Sequence, residues 1–201
     1  MADAAEYINV LGSELDRLNS IVSQLLSFVR RREPMKTSVS LSELLVWANS
    51  MFRPQAEKYS IDFVAEEREK GVRVIADSEM LRQVVMNLAL NAIQSMSLSE
   101  KEERKALLIS VGCTDKEEGA EQKGVIIVKD NGCGIPENIQ HRIFDPFFTT
   151  RKDGTGLGLS IVQRIIEGHG ADFSMESSPA GTTFKIFLPL DTALPEGERS
   201  V

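Results

Sequence analysis

Residues 78–96 read SEMLRQVVMNLALNAIQSM. Leu81, Val84, Val85, Leu88 and Ile93 recur at helical spacing and predict one buried face. Gln83, Asn87 and Asn91 recur every four residues and predict a polar face on the same helix. Such a helix must lie on an apolar layer, and the next segments supply one. Residues 106–113 and 125–129 are apolar, β-branched runs that read as central strands. The turn Asp130-Asn131-Gly132-Cys133-Gly134 follows, and later the run Gly154-Thr155-Gly156-Leu157-Gly158-Leu159-Ser160. This order predicts an α/β fold: a two-layer sandwich with a mixed, largely antiparallel sheet.

The other elements fit that frame. Residues 41–58 form an amphipathic pattern, with Ser40 or Ser42 able to cap it and Glu43 suited to its first turn. Pro54 is expected to kink or end that helix. Residues 61–65 and 72–76 read as strands around the turn-like Glu69-Lys70-Gly71, and Asp77 caps the asparagine helix. Residues 114–123 form a charged connection between the central strands. A short helix over 136–143, a loop over 145–154, a helix over 157–168 and strands over 173–176 and 183–188 complete the chain. Ahead of all this, Ile8, Leu11, Leu15, Leu18, Val22, Leu25 and Val29 alternate three and four apart over residues 5–32. This long amphipathic helix cannot bury its own stripe, and the expected partner is a second copy. Pro34 ends it. The expected organisation is a helix over 1–33, a linker over 34–40, a globular domain over 41–190 and a flexible tail over 191–201.

Composition narrows the setting. A hydrophobic fraction of 42% supports a core, while no apolar run approaches a membrane span. The start, MADAAEYINV, lacks a signal-peptide pattern, and Cys113 and Cys133 have no metal or redox spacing. These features suggest a cytoplasmic setting, with any membrane contact made through segments outside this sequence. A net charge of -7 argues against nucleic acid as the main partner.

Each motif has a plain reading and a chemical one. Two asparagines on a helix face can simply be solvated. A side-chain carbonyl can also ligate magnesium, which prefers oxygen and keeps several waters. Asp-x-Gly-x-Gly can be an ordinary turn. A carboxylate at a strand end can equally accept from an exocyclic amino group, with glycines leaving room for a flat ring. The Gly154–Gly158 run enters a helix, where backbone N–H groups and the helix dipole favour phosphate. It lacks the Gly-Lys-Ser/Thr of the other phosphate loop.

Taken in order, Asn87/Asn91, the Asp130 turn, Phe144-Asp145-Pro146-Phe147-Phe148, the glycine run and Gly181-Thr182-Thr183-Phe184 resemble the catalytic domain of sensor histidine kinases. That domain belongs to the wider Bergerat-fold ATPases. The resemblance covers roughly residues 5–190. It implies ATP as substrate, ADP as product and Mg2+ as cofactor. It makes Asn91 the magnesium ligand, places Asn87 near the phosphates and makes Asp130 the adenine selector. Gly132, Gly134 and Ile135 would shape the pocket. Phe147, Thr155, Gly156, Leu157, Gly158 and Leu159 would line it from the lid, and Thr182 would reach Asp130 or the adenine. The family often carries lysine or arginine where Gln94 stands, so Arg151 and Lys152 are expected to meet the phosphate charge.

Asn87 separates branches of the family. The ATPases carry a glutamate there as general base, and an amide cannot take a proton. The resemblance therefore implies transfer to a histidine and relay to a response regulator. His141 and His169 are the only histidines, and neither has an acceptor context. Helix 5–32 resembles the second helix of a dimerisation hairpin, so the acceptor helix is expected outside this sequence, acting in cis or in trans. A nucleotide-sensing regulator and a serine kinase of the same fold are the alternatives. An ATPase is disfavoured by Asn87.

Overall fold

The computed structural model describes residue 12 and residues 32–97, 104–115, 121–151 and 154–192. The expected helix over 5–32, apart from residues 12 and 32, the centre of the 114–123 connection and residues 193–201 lie outside them. Strand β1 (Thr37–Ser40) leads into helix α1 (Leu41–Lys58). Strands β2 (Asp62–Glu67) and β3 (Arg73–Ala76), helix α2 (Ser78–Ser97) and strands β4 (Ala106–Cys113) and β5 (Lys123–Asp130) follow. The chain continues through the one-turn helix α3 (Glu137–Gln140), helix α4 (Gly158–His169) and strands β6 (Asp172–Ser178) and β7 (Gly181–Pro189).

The main sheet has the order β2-β4-β5-β7-β6. Only β2 and β4 run parallel, and every other pairing in that sheet is antiparallel. The expected mixed, largely antiparallel sandwich is therefore present. Alternate residues of the strands, among them Leu107, Ile109, Val111, Ile126, Val128, Phe184, Ile186 and Leu188, join one buried cluster with α1, α2 and α4. Period-two alternation on the strands meets the apolar stripes of the helices, which is what makes a two-layer core. Truncating a fully buried member such as Ile126 would cost about 2–5 kcal/mol.

Helix α1 starts and stops where its pattern predicts. Ser40 is the N-cap, its Oγ accepting from the Glu43 N–H at 3.3 Å. Pro54 does not end the helix, which runs on to Lys58. Burial of Phe52 and Ala56 on either side of the proline holds the last turn against the core.

Two sequence boundaries need correction, and the structure adds the partners of two expected strands. The linker over 34–40 contains β1, which pairs antiparallel with β3 from Thr37↔Ala76 to Ser40↔Arg73. Strands β2 and β3 flank a turn but do not pair with each other: β2 lies beside β4, and β3 beside β1. Order also extends past residue 190. Asp191 is buried, and its N–H donates to the Arg73 carbonyl at 2.9 Å.

One junction ties the entry of α2 to the end of α4. Asp77 Oδ1 accepts from the N–H groups of Glu79 at 3.1 Å and Met80 at 3.2 Å, the expected cap. The Asp77 N–H itself donates to His169 Nε2 at 2.9 Å, so His169 Nδ1 carries the proton and donates to the Ile165 carbonyl at 2.8 Å. His169 is 3% exposed and serves as a buried hydrogen-bonding brace between the two helices. The segment before β1 joins in: the Met35 N–H donates to Asp77 Oδ2 at 3.0 Å, and Lys36 Nζ donates to the His169 carbonyl at 2.7 Å.

Candidate active site

The C-terminal half of α2 is where the separated motifs meet. Leu81, Val84, Val85, Leu88 and Ile93 are buried in the core, which leaves Asn87 and Asn91 half-buried on the adjoining face. The start of α4 lies against them. A Cβ built on Gly158 would stand 3.4 Å from Asn87 Oδ1 and 3.8 Å from Asn91 Nδ2. The sequence therefore places a side-chain-free helix start beside two carboxamides, with room for N–H groups to meet an anion.

Asp130 ends β5 and is 7% exposed. Its Oδ1 accepts from the Gly132 N–H at 2.8 Å, which folds the turn back on the carboxylate. A Cβ on Gly132 would come within 2.8 Å of both Asp130 Oδ1 and Ser95 Oγ, so glycine lets this turn close onto α2. Gly134 has φ +69°, and its missing Cβ would fall 1.8 Å from the Ser178 carbonyl oxygen. Ile135 donates its N–H to Ser177 Oγ at 2.8 Å and packs against the core. Thr182 stands opposite Asp130 in the β5–β7 register, and its Oγ1 lies 2.9 Å from Ser177 Oγ.

The loop from Phe147 to Gly156 is closed at its base. The Phe147 N–H donates to the Gly156 carbonyl at 3.0 Å, and a Cβ on Gly156 would lie 2.3 Å from the Phe147 carbonyl carbon. Phe147 has φ +67° and is 62% exposed, whereas Phe144 packs edge-on against Phe173 at 5.1 Å. Phe144 is therefore the anchor, and Phe147 stands exposed on the loop. Phe148 sits under the Arg142 guanidinium. Thr155 Oγ1 accepts from the Leu157 N–H at 3.4 Å. Leu157 is 2% exposed, and the half-buried Leu159 packs against the core.

Arg151 reaches across the cleft to α2. Its NH2 donates to the Asn91 carbonyl at 3.0 Å, and its NH1 donates to Asn91 Oδ1 at 3.2 Å and to Gln94 Oε1. Burial lowers the Arg151 pKa from its ordinary value, opposed by the nearby Cys133 and Asp130. Gln94 as a partner of Arg151 is the feature that sequence reasoning missed, since no local pattern joins positions 57 residues apart. Lys152 lies outside the described residues.

Among the described residues no group of three or more His, Cys, Asp or Glu side chains could hold a metal ion. The donor set still suits magnesium brought in by a polyphosphate, because one amide oxygen plus phosphate oxygens and water suffices. That Asn91 Oδ1 already takes a cationic partner supports the fit.

Residues 76–192 match the family model described as histidine kinase-, DNA gyrase B- and HSP90-like ATPase. The chain belongs to this family. It is 36% identical over 197 residues to the signal transduction histidine-protein kinase AtoS of Escherichia coli K12, covering 98% of this chain and 30% of AtoS. The chain thus spans about a third of the length of the curated relatives it matches. A structure of the catalytic domain of histidine kinase ThkA is 34% identical, with TM-score 0.63, covering 77% of this chain and 95% of that one. ShkA in complex with AMPPNP is 25% identical with TM-score 0.78, covering 97% of this chain and 40% of that one. ThkA in complex with its response regulator protein TrrA is 33% identical with TM-score 0.70, covering 91% and 50%.

Proposed function

We propose that this chain is the ATP-binding catalytic module of a two-component sensor histidine kinase. The observation that carries the reading is the convergence on α2. Asn87 and Asn91, the Asp130 turn, the start of α4 and loop residue Arg151 come from four separate segments and meet along one face of α2. Asp130 accepts from the adenine amino group, and Gly132 and Gly134 let the ring approach. Thr182 supports the same end through Ser177. The N–H groups at the start of α4 bind phosphate, with Asn87 orienting it and Arg151 supplying positive charge. Asn91 holds magnesium through Oδ1, and the ion when bound neutralises phosphate charge. Asn87 cannot deprotonate water, so this chain directs the γ-phosphoryl group to a histidine outside it, and ADP leaves. Such transfers depend chiefly on positioning and electrostatic stabilisation.

The partners of this reading are an acceptor helix, in cis or in trans, a response regulator and a second copy joined through residues 5–32. AtoS and ThkA bear kinase names, and ThkA has been seen with a response regulator, which supports the relay. No helix among the described residues is long and apolar enough to cross a membrane. The test supplies labelled ATP with and without a separate domain carrying an acceptor histidine. The expected result is no label on this chain alone and an acid-labile label on the added domain. An acid-stable label would instead indicate a serine kinase.

A further inference from the structure

The Arg151 guanidinium bonds to three oxygens of α2: the side-chain and main-chain oxygens of Asn91 and the side-chain oxygen of Gln94. One of these, Asn91 Oδ1, is the oxygen assigned above to magnesium. A guanidinium and a dication on one half-buried oxygen repel each other strongly, and little water is available to screen them. They cannot occupy it together. Gln94 stands one turn beyond Asn91 on the same helix, outside the metal position, and offers a neutral acceptor to the same NH1 group.

We propose that Arg151 and a divalent cation are alternative occupants of Asn91 Oδ1, and that Gln94 is the positioning residue that keeps Arg151 at the cleft when the metal takes that oxygen. This rests on the nucleotide-site reading and adds an order of events to it. Without metal, Arg151 stands in as counter-charge for the phosphates. When metal enters with the nucleotide, Arg151 gives up Asn91 Oδ1 and stays on Gln94, beside the phosphates. A lysine or arginine at position 94 would repel Arg151, so the neutral amide at 94 and the arginine at 151 form a matched pair.

The test compares ADP binding by calorimetry in EDTA and in excess Mg2+, for the full chain and its variants. Arg151→Ala should weaken metal-free ADP about tenfold, the loss of one charge-assisted contact. It should weaken Mg2+–ADP binding several-fold less than that, because the lost phosphate charge is partly offset by lost competition for Asn91 Oδ1. Metal dependence therefore rises in the variant. Equal weakening in both conditions, or no change in either, overturns the proposal. Hydrogen exchange of residues 147–156 without nucleotide tests Gln94. Gln94→Ala should speed it about fivefold, and Gln94→Glu, which still accepts from Arg151, should leave it at the wild-type rate. Unchanged exchange in Gln94→Ala, or equal acceleration in both variants, removes the positioning role. A wild-type chain that binds ADP in neither condition rejects the nucleotide-site reading itself and this proposal with it, a result distinct from the others.

Discussion

At the scale of single residues, the candidate site depends on a carboxylate that must stay an acceptor. Asp130 accepts from the Gly132 N–H, and as a carboxylate it presents acceptors and no donor, which is what an adenine amino group requires. Asp130→Asn keeps the shape but introduces two donors, one of which would face the adenine amino group. The expected outcome is ATP binding weaker by about 1.5–3 kcal/mol, roughly ten- to a hundredfold, with the melting temperature little changed. Fluorescent-nucleotide displacement measures the first and circular dichroism the second. Affinity within threefold of wild type would detach Asp130 from the adenine. Gly134 makes the complementary case for stability. Its φ of +69° and the 1.8 Å approach to the Ser178 oxygen leave no place for a methyl group. Gly134→Ala should lose about 1–3 kcal/mol or more in urea denaturation, since the strand end would have to move.

At the scale of elements, the junction of α2 with α4 explains how the two asparagines are aimed. Asp77 closes the first turn of α2, and His169 holds the Asp77 N–H from the end of α4. Asp77→Ala removes a cap and the acceptor for Met35, and should destabilise the fold by about 1–2 kcal/mol. His169→Ala leaves a buried N–H without its acceptor and opens a cavity, so its loss should be larger, above about 2 kcal/mol. Chemical denaturation of both variants gives the ranking, and a smaller loss for His169→Ala would contradict it. Asp77 was legible in the sequence because a cap acts within three residues. So were the ends of α1 and both central strands, where apolar period and cap agree. Strand β1 was not legible: Thr37-Ser38-Val39-Ser40 has only one large apolar residue, and its partner β3 lies more than thirty residues away. Pro54 left two readings open, a kink or an end, and the helix does not end there. Local chemistry predicts a break there, but burial of Phe52 and Ala56 outweighs one missing backbone donor. The site divides the same way. Asn87, Asn91, Asp130 and the glycine run carry local signals. The meeting of Arg151 with Gln94, and the turning of Leu157 into the core, depend on how α4 and the lid return to α2.

At the scale of the whole molecule, the site and the proposed dimer stripe should be separable. The nucleotide cleft is built from residues 87–182, while the heptad stripe ends at Val29, and the described segment between them docks on Asp77 and His169 rather than on the cleft. A charged residue in a heptad seam costs far more than one on the flank, because pairing would bury it against an identical charge. Leu18→Glu is therefore expected to turn a dimer into a monomer by light scattering while leaving ADP affinity within about twofold, a change too small to reflect a lost contact. Two results would separate the ideas. A wild-type chain that is already monomeric removes the dimer proposal and leaves the nucleotide site untouched. A Leu18→Glu chain that is monomeric but binds ADP tenfold more weakly would mean that the stripe supports the cleft through the Met35–Asp77 and Lys36–His169 contacts, and that pairing of two copies is coupled to nucleotide binding through the entry of α2.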